Sequence, residues 1–291
     1  MLKKNISFLI NPISGGKNKS DFPDLAYKYL DHDKFQANYQ FTEKPGHAFE
    51  IAKELIKNNT DIVVAVGGDG TINEVASALN GSVKALGIVP YGSGNGLARS
   101  LGIPLKDTDA IRKLNNLEFN AIDAGNLNQR PFFNMAGLGF DAHISALFAS
   151  QIKRGMGGYV KTTIAEVSSY LPQKYHLTID GVDYEREAFM ISIANSSQFG
   201  NNAHISPFAS LKDGLLDVCI IKPFPLYQFP VLGYRMFSKS THRSKYVEII
   251  KGKEIRIVRE FAGAVHVDGE PCEMGQELNI GISPLSLSVS V

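Results

Sequence analysis

Asp61-Ile62-Val63-Val64-Ala65-Val66-Gly67-Gly68-Asp69-Gly70-Thr71-Ile72-Asn73-Glu74 is the stretch whose reading decides the fold. Asp61–Val66 is a β-branched run, the glycines make a tight turn, and a helical pattern starts at Ile72. Strand, glycine turn and helix start, in that order, let backbone N–H groups approach an anion without Cβ interference, and the helix dipole adds positive potential. No Gly-Lys-Ser/Thr closes the turn as in a Walker A loop, and the G-x-G-x-x-G spacing of dinucleotide binders is absent. Asp69, set among amides, is a candidate to hold Mg²⁺ or to position a nucleotide. The plainer alternative is that any doubly wound domain needs glycine at such a turn.

On either side, the first 125 residues alternate short strands with helical patterns, the signature of a Rossmann-like parallel sheet. The strands are expected at Ile6–Ile10, Ala37–Phe41, Asp61–Val66, Ala85–Val89 and Phe119–Ala124, and the helices at Phe22–Leu30, His47–Lys57, Ile72–Leu79 and Asp109–Leu117. Two further glycine turns follow strands, Asn11-Pro12-Ile13-Ser14-Gly15-Gly16-Lys17 and Pro90-Tyr91-Gly92-Ser93-Gly94-Asn95-Gly96. All three turns leave strand C-termini, the edge at which open parallel sheets bind ligands, so they are expected to converge on one polyphosphate.

Beyond Gly125 strand-like runs follow at Phe132–Ala136, His176–Ile179, Phe189–Ala194, Leu216–Ile221, Tyr246–Ile250, Glu254–Ile257 and Ala264–Val267. Their spacing suggests an antiparallel β-sandwich, with helical pieces at Ile144–Ala149, Val160–Tyr170 and Leu226–Phe237. The expected division is residues 1–124 and 125–291, with a boundary near Ala121–Asn128, and the final strand Leu285–Val291 pairing with either domain.

Composition bounds the rest. A chain of 291 residues, 44% hydrophobic and 20% charged, has length for about two domains with real cores. A net charge of +1 advertises no nucleic-acid partner. Cys219 and Cys272 lack metal-site spacing and form no disulfide framework, which fits a reducing cytoplasm. The apolar run before Asn11-Pro12 is too brief for a signal-peptide core, and no stretch approaches the roughly 20 residues of a membrane span.

Asn11-Pro12 with Ser14-Gly15-Gly16, the Gly67–Glu74 string and Pro90-Tyr91-Gly92-Ser93-Gly94-Asn95-Gly96-Leu97-Ala98-Arg99 together resemble the diacylglycerol kinase catalytic domain family. That family includes bacterial lipid kinases, sphingosine kinases and ceramide kinases. Asp213-Gly214-Leu215-Leu216-Asp217 and Val267-Asp268-Gly269-Glu270-Pro271 look like its later motifs, so the resemblance covers nearly the whole chain. Gly-Gly-Asp-Gly-Thr alone is shared with NAD kinases and, more distantly, with phosphofructokinase-like proteins; the five motifs in order are far more specific. The resemblance implies an NAD kinase/diacylglycerol kinase-like fold, with an N-terminal α/β domain, a C-terminal β-sandwich and a nucleotide cleft between them. It also implies an ATP- and Mg²⁺-dependent phosphotransferase acting on a lipid hydroxyl, diacylglycerol or a related lipid.

By that resemblance ATP is contacted by Asn11, Pro12, Ile13, Ser14 and Gly15, by Gly67, Gly68, Asp69, Gly70, Thr71, Ile72 and Asn73, and by Thr42 and Ser93. Read without the family, Thr42 is equally an N-cap or turn residue. Glu270 matches the family's proton acceptor and, with Asp69, makes the catalytic pair; Asp268 is a second carboxylate beside it, and the string read alone is a hairpin turn. Asp213, Ser210 and the Leu215 carbonyl match a Mg²⁺ site of bacterial members, against the alternative of a solvated turn, and Asp217 is expected to face solvent. Several diacylglycerol kinases carry Asp where Gly96 follows Asn95, which leaves the lipid acceptor open. A kinase of a soluble nucleotide such as NAD, and a regulator without turnover, are the competing readings.

Between Arg235 and Arg259 lie eight Lys/Arg and two Glu, just after an apolar run, Phe224–Phe237, that Pro225 and Pro230 interrupt. Transient docking of a cytoplasmic enzyme on an anionic bilayer is expected from this, with a solvated cationic face over core residues as the alternative. A homodimer is compatible with the sequence.

Overall fold

The computed structural model describes residues 3–16, 18–149 and 162–291. Lys17 of the first glycine turn and the first two residues of the helix expected over 160–170 lie outside them. Two compact units divide the chain, one made of Met1–Asp123 with Leu285–Val291, the other of Ala124–Pro284.

In the first unit β1 (Lys4–Ile10), β2 (Phe35–Phe41), β3 (Ile62–Gly67) and β4 (Ala85–Pro90) form a parallel sheet in the order β2-β1-β3-β4. Every residue of β3 and β4 is buried, which is why both read as unbroken apolar runs. The connecting helices are α1 (Phe22–Tyr29), α2 (His47–Lys57), α3 (Asp69–Leu79), α4 (Gly96–Ser100) and α5 (Asp107–Leu114), with α2 packed on α3 and α1 on α5. Helix α3 starts three residues earlier than the apolar pattern indicates. Gly68 is still extended at ψ −172°, and Asp69 enters the helix directly. Asp123, in β5 (Phe119–Leu127), is fully buried and accepts the Leu285 amide at 2.7 Å. Ser288 and Val289 of the last strand then pair in parallel with Ala85 and Leu86 of β4.

The second unit is the expected antiparallel sandwich. After the short β6 (Arg130–Phe132), which pairs with the end of β5, one sheet joins β8 (Gln173–Ile179), β9 (Val182–Ala188), β13 (Glu254–Arg259) and the beginning of β16 (Glu277–Ser290). The other joins β7 (Met135–Gly139), β10 (Met190–Ala194), β11 (Leu216–Ile221), β12 (Val247–Gly252), β14 (Gly263–Val267) and β15 (Glu270–Met274) in the order β12-β11-β10-β7-β14-β15. Leu177, Ile255 and Leu278 from the first sheet meet Ile191, Ile193, Val218 and Val265 from the second in one core. The other face of the second sheet, with Met190, Cys219 and Ile221, is covered by α6 (Phe140–Ala149) and α7 (Phe229–Phe237). Strands β10 and β11 are therefore buried on both sides.

The strand expected over Phe132–Ala136 is broken at Phe133–Asn134, because Asp268 draws the amides of residues 133 to 135 onto its carboxylate. The prolines that interrupt Phe224–Phe237 resolve it into a short 3₁₀ turn, Leu226–Gln228, followed by α7 with Pro230 in its first turn, where a missing N–H costs nothing. Among the described residues no helix is long and apolar enough to cross a membrane.

Candidate functional site

The three glycine turns leave β1, β3 and β4, neighbours in the first unit's sheet, at the same edge. They touch. Asn11 donates its amide to the Val66 carbonyl at 3.0 Å and its Nδ2 to Thr71 Oγ1 at 3.0 Å, while the Tyr91 amide donates to the Gly67 carbonyl at 2.7 Å. Gly15 lies at φ +64°, and a Cβ there would fall 2.0 Å from the Tyr91 carbonyl oxygen. A Cβ on Gly92 would come within 2.8 Å of Gly68 Cα. Only glycine permits this approach, so its abundance here is a packing requirement as much as a means of exposing amides.

Asp69 ties the second turn to the third. Its Oδ2 accepts the Asn95 amide at 2.9 Å and its Oδ1 the Gly96 amide at 2.8 Å, where α4 begins. Asn95, buried at φ +50°, locks the same turn from within: its Oδ1 accepts the Gly92 amide and its Nδ2 donates to the Gly92 carbonyl. The carboxylate placed in the catalytic pair by the sequence is thus a brace between loops. The Ile72 side chain is core, and its amide donates to the Gly68 carbonyl within α3. Gly70 and Thr71 sit in the first turn of α3, whose N–H groups find no acceptor inside a helix.

Around these, Ile13, Gly15 and Ser93 are exposed, and Pro12, Ser14, Gly68 and Asn73 are half-buried. Asn11 Oδ1 accepts the Ile13 amide, and Asn73 Oδ1 accepts the Ser77 hydroxyl. Thr42 is buried after β2, its amide on the Ile10 carbonyl. Glu74 accepts the Gly46 and Ala48 amides, which caps α2 and fixes the segment that follows Thr42. Lys19 was not foreseen. It is 2% exposed, donates to the Ser14 carbonyl and lies 4.7 Å from the centre of the Tyr91 ring, stiffening the first turn against the third.

In the second unit Asp268 stands at φ +48° with Oδ2 accepting the Phe133 amide at 3.0 Å and Oδ1 accepting the Asn134 and Met135 amides at 2.9 Å each. Glu270, two residues on, opens β15 with an exposed side chain that makes no ion pair among the described residues. The two carboxylates therefore divide into an anchored one and an uncommitted one. Arg259, counted above among surface cations, is buried and donates to the carbonyls of Gly263, Ala264, Met274 and Gly275, clamping the β14–β15 hairpin that carries both. Burial lowers its pKa from the usual arginine range.

Next to this hairpin is a buried cluster that the sequence did not reveal. Asp141 Oδ2 accepts the Ser192 hydroxyl at 3.0 Å and lies 3.1 Å from His266 Nε2. The Tyr170 hydroxyl has its pKa pushed up to about 12 by burial and by the Asp141 charge. The signal was there: a single polar residue inside Phe140-Asp141-Ala142, Ile191-Ser192-Ile193 and Val265-His266-Val267.

Asp213, Ser210 and Leu215 share one turn. Their donors are oxygens, the chemistry Mg²⁺ takes. Asp213 Oδ1 accepts the Leu215 amide at 3.2 Å, and Lys251 Nζ lies 3.0 Å from its Oδ2, so an ion here shares the carboxylate with an ammonium. Lys251 also pairs at 2.9 Å with Asp217, which is 1% exposed rather than solvent-facing and accepts the Ser206 hydroxyl. No group of three or more His, Cys, Asp or Glu among the described residues is placed to hold a metal.

The family model of the diacylglycerol kinase catalytic domain matches residues 5–127, and that of the YegS C-terminal NAD kinase beta sandwich-like domain matches residues 134–291. A Pseudomonas aeruginosa protein named "Probable lipid kinase YegS-like" is 33% identical over 253 residues, covering 85% of this chain and 82% of its own. The "Diacylglycerol kinase" of Bacillus subtilis is 26% identical over 272 residues, 92% of this chain and 90% of its own. In fold, a crystal structure described as a diacylglycerol kinase from Bacillus anthracis superposes with a TM-score of 0.77 at 20% identity, over 100% of this chain and 97% of that one. With both domain types matched in order and a relative of this identity along most of its length, the chain belongs to the diacylglycerol kinase family, among the YegS-like lipid kinases.

Proposed function

We propose that the protein transfers the γ-phosphoryl group of ATP to the hydroxyl of a lipid, diacylglycerol or a close relative. The observation that carries this reading is the meeting of three glycine turns at the C-terminal edge of β1, β3 and β4, with Asp69 and Asn95 bracing them. Amides presented this way suit the phosphates of a nucleotide without any cationic side chain. Asn11 to Gly15, Gly67, Gly68, Gly70, Thr71, Asn73, Thr42 and Ser93 would surround ATP, and Asp69 would act as a positioning residue.

In the step itself the acceptor oxygen bonds to the γ-phosphorus, the bond from that phosphorus to the bridging oxygen breaks, and ADP leaves with the electron pair. Glu270 takes the acceptor's proton. Its exposed carboxylate makes no ion pair among the described residues, whereas Asp268 is occupied by three amides. Mg²⁺ bound with the nucleotide would offset the developing phosphate charge, and Asp213, Ser210 and the Leu215 carbonyl would hold a second ion.

Transfer of labelled phosphate over a panel of lipids and NAD, with wild type and Glu270→Gln, tests this. Lipid phosphorylation that falls at least ~100-fold in the variant is expected. Undiminished transfer by Glu270→Gln, transfer to NAD in place of lipid, or ATP binding with no transfer at all would each overturn it.

A further inference from the structure

Helix α7 has two apolar faces, and among the described residues only one of them is packed. Phe229, Leu232 and Met236 pack inward on the second unit's core. Tyr227, just before the helix, and Val231, Tyr234 and Phe237 point outward, 72%, 41%, 72% and 61% exposed, at spacings of four, three and three that align them in one stripe. Phe208, 68% exposed, has its ring 4.8 Å from that of His242, in the 3₁₀ turn Thr241–Arg243 that follows the helix.

Along the chain the charge on either side of the helix has one sign. No Asp or Glu occurs from Val218 to Val247, a stretch that holds Lys222, Arg235, Lys239, Arg243 and Lys245. Lys222 is committed to Glu248 at 2.8 Å, and Arg235 to the Ser240 carbonyl. Lys239, Arg243 and Lys245 are exposed and have no carboxylate partner among the described residues. By contrast Lys251, Arg256 and Arg259, which the sequence counted with them, are respectively paired with Asp213 and Asp217, paired with Glu277, and buried. Cations concentrated directly after an aromatic stripe match an anionic lipid interface, in which tyrosines sit at headgroup level and Lys/Arg meet phosphates. A second copy fits poorly: a twofold contact through this face would bring the same cations together with no acidic residue of the stretch to offset them.

We propose that the outward face of α7 with Lys239, Arg243 and Lys245 docks the protein on an anionic bilayer. Its purpose rests on the lipid-acceptor reading above; the binding itself does not. Sedimentation of the full chain with phosphatidylglycerol–phosphatidylcholine vesicles, against pure phosphatidylcholine vesicles, at low and high salt, reads it. Each exposed cation is expected to contribute about fivefold in partitioning. Lys239→Gln/Arg243→Gln/Lys245→Gln should therefore lose at least ~10-fold on anionic vesicles, and Tyr234→Ser/Phe237→Ser should lose binding on both kinds. Thermal melts should stay at the wild-type value, because these side chains are outside the core, and turnover on a water-soluble short-chain diacylglycerol should be unchanged. Equal sedimentation of wild type and both variants overturns the proposal, as does wild-type self-association abolished by Tyr234→Ser/Phe237→Ser, which would assign the face to a second copy. Salt-sensitive vesicle binding by a wild type that phosphorylates no lipid would sink the kinase reading and leave the docking face standing.

Discussion

Replacing Asp268 by Asn separates a structural carboxylate from the one proposed as the base. The aspartate accepts three backbone amides, one on Oδ2 and two on Oδ1, and its own amide donates to the Met135 carbonyl at 2.8 Å. Asparagine fits the space and tolerates φ +48°, but it offers a single acceptor oxygen. In its better orientation the carboxamide keeps the Asn134 and Met135 bonds and turns an NH₂ group toward the Phe133 N–H. One charge-assisted bond is lost, two are weakened to neutral strength, and a donor faces a donor, at about 2–4 kcal/mol in all. For a chain of 291 residues that is a fall in Tm of roughly 3–7 °C. Urea midpoints and thermal melts of Asp268→Asn and Glu270→Gln give the comparison. Asp268→Asn should melt early and, measured well below its Tm, keep most of its turnover; Glu270→Gln should melt with wild type and lose turnover. If Asp268→Asn melts with wild type and loses turnover as Glu270→Gln does, Asp268 belongs to the chemistry and the anchoring argument is wrong.

Three further outcomes are expected. Gly15→Ala puts a methyl group against the Tyr91 carbonyl at a positive φ, so binding of a non-hydrolysable ATP analogue should weaken at least ~10-fold by calorimetry; an unchanged Kd would mean that this turn does not face the nucleotide. Asp213→Asn should abolish any Mg²⁺-dependent rise in Tm while the Lys251–Asp217 pair persists, and a rise that survives would place the ion elsewhere. Glu248 has its pKa held down to about 2, first by the Arg186 guanidinium and then by Lys222, against 4.5 ordinarily. Its pairing therefore stabilises the fold above the ordinary value and is lost as pH falls toward 2, so wild type should lose urea resistance between those limits more steeply than Glu248→Gln; parallel curves would refute this.

What was legible in the sequence was local. β3 and β4 are buried throughout and declare themselves by composition alone, and the bounds of α2 follow from its period. Strand β9, Val182–Ala188, escaped because it is an edge: with one paired neighbour it carries Asp183, Glu185, Arg186 and Glu187 and shows no apolar run. The gap at Phe133–Asn134 is written by a carboxylate 135 residues away in sequence, beyond the reach of any window. Motifs mark where the turns fall, but a motif does not show which side chains hold the turns together. Asp69, Ile72, Asp217 and Arg259 all serve the framework, and only their partners reveal it.

The return of Leu285–Val291 to the first unit has a consequence for biosynthesis. The second unit is an insertion within the first, so a nascent chain can complete the sandwich while the α/β unit still waits for its last strand to be translated. Until then the edge of β4 that pairs with Ser288 and Val289 is bare, and the buried Asp123 lacks the Leu285 amide. A stop codon before residue 285 would therefore injure the α/β unit that carries the glycine turns and spare the sandwich, and a degradation tag read from such a truncated product would report on the α/β unit.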